Sequence, residues 1–70
     1  MKTAYTAVIQ RDGKWWIGWI EEIVGVNAQA KTRRELLGDL KIALNEALEM
    51  NRAEAIAAAK DPYEEVSVEL

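Results

Sequence analysis

Between Lys14 and Ile20 the chain reads KWWIGWI, which puts three tryptophans into five positions. In a strand, successive side chains point to opposite faces. Trp15, Ile17 and Trp19 then share one face, and Trp16, Gly18 and Ile20 share the other. Both faces carry indole. A buried tryptophan removes ~150–250 Å² from water, and at ~25 cal/mol/Å² that is roughly 4–6 kcal/mol as an upper bound. The chain has only 70 residues, so leaving one of these faces open would forgo much of what holds it together. The segment is therefore a central strand. One face is covered by the chain's own helix and the other by something outside it: another copy, a different protein, or both. The alternative is that the indoles are covered locally by neighbouring side-chain stems, such as those of Lys14 and Arg11.

The flanking residues supply the rest of a sheet. Tyr5 to Gln10 (YTAVIQ) is rich in β-branched and aromatic residues and reads as a strand. Arg11-Asp12-Gly13-Lys14 follows, with Asp12-Gly13 as the centre of a tight hairpin. Trp15 to Glu21 is the second strand, Glu22 to Gly25 a connection, and Val26 to Ala30 a third strand with Val26, Ala28 and Ala30 on one face. The period then changes to that of a helix. Thr32-Arg33-Arg34-Glu35 has the form of a capping box, and Leu36, Leu37, Leu40, Leu44, Ala47 and Leu48 recur at helical spacing. Asn51-Arg52-Ala53-Glu54 resembles a second capping box, so the helix either kinks near Asn51 or runs on to about Lys60. RAEAIAAAK favours helix on both sides. Asp61-Pro62 ends it, and Glu65 to Leu70 alternates again, with Val66, Val68 and Leu70 on one face of a fourth strand.

The expected fold class is α+β, with element order β-β-β-α-β in a single domain over residues 1–70. An antiparallel meander is followed by a right-handed crossover that lays the last strand beside the first, for a sheet order of 3-2-1-4. One helical segment packs on one sheet face. The larger apolar set assigns Ile17 and Trp19 to the helix side and Trp16 to the outer face. Gly18 argues the other way, because it gives a helix room to approach.

Composition narrows the chemistry. There is no Cys and no His, which removes disulfides, thiolate and imidazole catalysis and the usual zinc sites. So small a core usually needs such a staple or a partner subunit, and oligomerisation is the support left. A net charge of -3 gives no general attraction to nucleic acid. No apolar run reaches the ~20 residues of a membrane span, and the N-terminal run is broken at Gln10, Arg11 and Asp12, so a cytoplasmic protein is expected. Asp12, Asp39 and Asp61 do not converge in this layout, and Glu21, Glu65 and Glu69 lie near strand ends or outer faces. No catalytic residue, metal site or cofactor is assigned. Lys31, Arg33 and Arg34 cluster at the helix start and read as a solvated charged turn. Ile42 and Ile56 lie off the main apolar face, on one opposite side, and are candidate oligomer contacts. A helix of that length spans ~40 Å against ~20 Å for six-residue strands, so its distal half must bend back or overhang.

From Tyr5 to Asn51 the chain resembles the HicB family of antitoxins. The matching pieces are YTAVIQRDG in the first hairpin, WWIGWIEEIVGVNAQAKT across the second and third strands, and RRELLGDLKIALNEALEMN in the helix. Glu21 and Val24 stand where the family commonly has proline, and Ala30 where it commonly has glycine, all at sheet or turn positions. The resemblance implies a partial RNase H-like fold. It also implies an antitoxin core that binds and occludes a small basic HicA-type toxin, an mRNA-cleaving protein. Full-length HicB proteins continue into a DNA-binding region. This sequence stops at Leu70, so a short form without DNA binding is expected. Trp15, Trp16, Trp19, Glu21 and Glu22 are the candidate partner-binding residues. The alternative is an orphan homo-oligomeric HicB-like domain with no toxin partner, using the same surfaces.

Overall fold

The structure, a computed structural model, describes residues 4–70. Three strands, β1 (Ala7–Asp12), β2 (Trp15–Ile20) and β3 (Asn27–Ala30), precede one helix, α1 (Arg33–Ala57). The strands form an antiparallel meander in the order β1-β2-β3, so the tryptophan strand is central. This is an α+β fold with one helix on one face of the sheet.

The first hairpin closes one residue later than expected. Asp12 pairs with Trp15, which leaves Gly13 and Lys14 as the two-residue loop. Gly13 has φ of 62°, and among the described residues only glycines have a positive φ. Glycine in the first central position takes the left-handed conformation without a Cβ clash. Asp12 therefore stays extended in the ladder.

The helix starts where the capping box puts it. Thr32 is the N-cap, with extended backbone at φ -129° and ψ 156°, and its Oγ1 accepts a hydrogen bond from the Glu35 N–H at 3.1 Å. Thr32→Ala removes that acceptor and is expected to lower stability by ~1 kcal/mol, read as a lower urea midpoint with an unchanged slope. The helix passes Asn51 without a break and ends at Ala57. Asn51 is thus not a second cap. A tertiary helix already supplies carbonyl partners to the N–H groups after it, so nothing is left for a new cap to satisfy.

The core is Ile20, Val26, Ala30, Leu36 and Leu40. Tyr5, Ala7, Ile9, Trp16, Ile23, Ala28, Ala43, Leu44 and Ala47 pack around it, partly buried. Val26, Ala28 and Ala30 share the inner side, as their alternation requires. The helix covers the opposite face of β2 from the one assigned by the larger apolar set: Trp16, Gly18 and Ile20 face it, and Ile17 and Trp19 do not. Gly18 explains this. A Cβ there would lie 3.0 Å from Ile9 Cγ2, 3.0 Å from the Val8 carbonyl oxygen and 3.1 Å from Leu40 Cδ1. Leu40 occupies the space a side chain would need, and helix and sheet approach closely at that point. The other face offers three bulky side chains and no such gap.

The fourth strand is absent, and with it the 3-2-1-4 order. Residues 65–70 form no strand, and Val66 and Val68 are 72% and 82% exposed. A strand exists only through its ladder, and alternation in sequence supplies side-chain parity but no partner. The helix accounts for the separation. Its 25 residues span ~37 Å, whereas the six residues of β1 span ~20 Å. Inward packing on the sheet fades after Ala47, and the last turns overhang. Beyond them the chain turns back only far enough for Glu65 Oε1 to lie 3.8 Å from Arg52 Nε.

Candidate partner-binding face

The outer face of the sheet is built from every second residue of three strands. Trp15, Ile17 and Trp19 run down its centre on β2. The ladder sets Trp19 between Val8 and Asn27, Ile17 between Gln10 and Gln29, and Trp15 opposite Asp12. The result is an apolar stripe with amides on both sides. Trp15 and Trp19 are 41% and 40% exposed, and no element of the described chain covers them. Ile17, Gly18, Trp19, Asn27, Ala28 and Gln29 line a shallow depression of about 420 Å³ on this side. Large rings half in water beside exposed amides can take up a partner's apolar side chains and hydrogen-bond at the margin.

The three tryptophans do not share one face. Trp16 points to the helix side, half-buried against the core, with the Arg11 guanidinium 5.4 Å from its ring centroid. Arg11 is itself anchored, since its Nη2 donates to the Gly13 carbonyl at 3.1 Å. The cation covers the indole from the solvent side. Trp16 thus lies on the face opposite Trp15 and Trp19, packed on the core.

The two glutamates also divide. Both follow β2, and the Glu21 N–H extends the ladder by donating to the Thr6 carbonyl at 2.9 Å. The Glu21 side chain keeps the parity of Trp19 and is exposed beside the outer face. The Glu22 carboxylate instead accepts from the Thr6 N–H at 2.8 Å and secures the end of the sheet. Nothing in the sequence marks that bond, which joins residues sixteen positions apart. Ile42 is 61% exposed. Ile56 is half-buried, in a cleft with Glu49, Arg52 and Ala53. Fourteen residues apart, the two lie ~21 Å from each other along the helix, so they form no single patch.

Lys31, Arg33 and Arg34 are exposed at the helix start. Among the described residues, no three carboxylates come together where they could hold a metal ion, and no helix is long and apolar enough to cross a membrane. No family model, curated protein or solved structure matches the chain. Fold and face together define a small α+β domain that presents an aromatic stripe on the open side of its sheet.

Proposed function

We propose that this chain is a protein-binding module: the core of a HicB-like antitoxin that takes a small basic HicA-type toxin onto its outer sheet face. It blocks the toxin's mRNA-cleaving site sterically and electrostatically, with no chemistry of its own, and works in the cytoplasm where that toxin meets mRNA. The observation that carries this reading is the open Trp15-Ile17-Trp19 stripe with Asp12 and Glu21 at its ends. An apolar centre with an acidic margin suits a basic protein partner. The net charge of -3 adds long-range attraction of the same sign. In this reading residues 65–70 complete the sheet as a fourth strand beside β1, giving the 3-2-1-4 order of a partial RNase H-like fold.

The second reading is a homo-oligomeric domain without a toxin. It is favoured by the overhanging end of α1, which needs company of its own.

The test uses the purified chain and the small basic protein that co-purifies with it. Native mass spectrometry is expected to give a stoichiometric complex, and added chain is expected to stop that protein's cleavage of mRNA. The double variant Trp15→Ser, Trp19→Ser should keep its helical circular dichroism. It should also bind at least ~30-fold more weakly, since a central interface tryptophan is typically worth ~2 kcal/mol or more. A homo-oligomer with nothing else bound, or undiminished inhibition by the variant, rules this reading out.

A further inference from the structure

The chain is too extended for its mass. It exposes 6084 Å², whereas a compact monomer of 7.9 kDa exposes ~4,400 Å². Its radius of gyration is 15.2 Å, against ~11 Å for a compact chain of this length. The excess, ~1,700 Å² per chain, is what one subunit of an obligate homodimer buries, about 1,000–2,500 Å². Three features account for it. Among the described residues, the outer edge of β1 has no neighbouring strand. Val66, Val68 and Leu70 alternate in an exposed segment that, among the described residues, makes no backbone hydrogen bond to the sheet. The distal turns of α1 project past the sheet and carry that segment with them.

The open side of the sheet is the β1 side. The helix lies over β2 and β3, while Tyr5 and the inner-face β1 residues Ala7 and Ile9 remain half-exposed beside the core. A strand added there would set its inward side chains beside Ala7 and Ile9. Val66, Val68 and Leu70 have the parity for it. Folding the segment back onto its own sheet would leave the rod of α1 projecting as before. Exchange with a second copy would cover both β1 edges and both terminal segments, and would bring in both helix ends, through one isologous contact.

We propose that two copies of this chain exchange their C-terminal segments, residues 65–70 of each adding as a fourth strand to the β1 edge of the other. This rests on the fourth-strand part of the reading above and specifies which copy supplies the strand. Unpaired edges are the usual site of such additions.

The chain contains no cysteine, so a designed pair of thiols reports cleanly. Gln10 and Ser67 share the outer face if Val66 and Val68 turn inward. The full chain carrying Gln10→Cys and Ser67→Cys is oxidised, sized without reductant and mapped by peptide mass spectrometry. The expected product is a covalent dimer linked between positions 10 and 67. An intrachain link between the same positions in a monomer overturns the exchange but keeps the fourth strand. Val8 and Asp12 share that face with Gln10, so the same chain is also made with the first cysteine at position 8 or at position 12, and the absence of a link to position 67 in all three overturns both. Sedimentation of the unaltered chain gives an independent reading. A two-chain mass is expected, and a one-chain mass at micromolar concentration overturns the exchange. The antitoxin reading fails separately, in the binding and inhibition assay.

Discussion

Replacing Leu36 with Ala is expected to remove ~2–5 kcal/mol of stability and to leave much of the chain unfolded at room temperature. Among the described residues Leu36 is the most deeply buried, at 0% exposure, in a core of five buried hydrophobic side chains. It sits in the first turn of α1, just after the Thr32 cap and close to Ala30 at the end of β3. A cavity there weakens the first contact that α1 makes with the sheet, N-terminal to the one through Leu40. At roughly 0.05–0.15 kcal/mol per residue, 70 residues give a total on the order of 4–10 kcal/mol, so little or nothing remains. Leu37, one residue further on and 36% exposed, is the internal control. Leu37→Ala should cost less than ~1 kcal/mol, as an exposed position does. Urea titration followed by far-UV circular dichroism, at one fixed protein concentration because association adds to apparent stability, separates the two. Equal losses would mean that the helix does not dock through Leu36.

The second large effect comes from one substitution made at two glycines, with opposite signs. Gly18→Ala puts a Cβ 3.0 Å from a backbone oxygen and from Ile9, and 3.1 Å from Leu40. Leu40 can shift by a few tenths of an ångström, but the Val8 carbonyl belongs to the paired strand and cannot. Helix and sheet must part at their point of closest approach, at a cost of ~1–3 kcal/mol. Gly38→Ala meets nothing within 4 Å. It lies within α1, where alanine is favoured over glycine by ~1 kcal/mol. The midpoint of unfolding should fall for the first variant and rise for the second. A neutral or stabilising Gly18→Ala would place the helix on the other face of β2.

Several features were legible in the sequence because their causes are local. The capping box at Thr32 depends on four consecutive residues. The alternation of Val26, Ala28 and Ala30 depends on the pleat alone. The hairpin was placed to within one residue because a glycine between two apolar runs has few other uses. Leu36 and Leu37 look equivalent in a periodic pattern, and only the rotation of the docked helix buries one and exposes the other. Of the candidate contact residues, Trp15, Trp19 and Glu21 lie on or beside one face. Trp16 is covered by Arg11, its partner across the hairpin and one of the stems the sequence offered for that purpose, whereas Glu22 is taken up by Thr6 through a contact that no spacing encodes.

By itself the sequence determined the order of the three strands and the helix, the first hairpin to within one residue, the start of the helix at its Thr32 cap, and the rule that indole lies on both faces of β2. The period of a strand or helix follows from covalent geometry, which every residue carries with it. Tertiary structure alone decided which of those faces the helix covers and whether residues 65–70 join the sheet. Both are contests between surfaces far apart in the chain. Leu40 settles the first by entering the space over Gly18, and the second depends on a free β1 edge meeting a segment that the overhanging helix holds beyond the end of its own sheet.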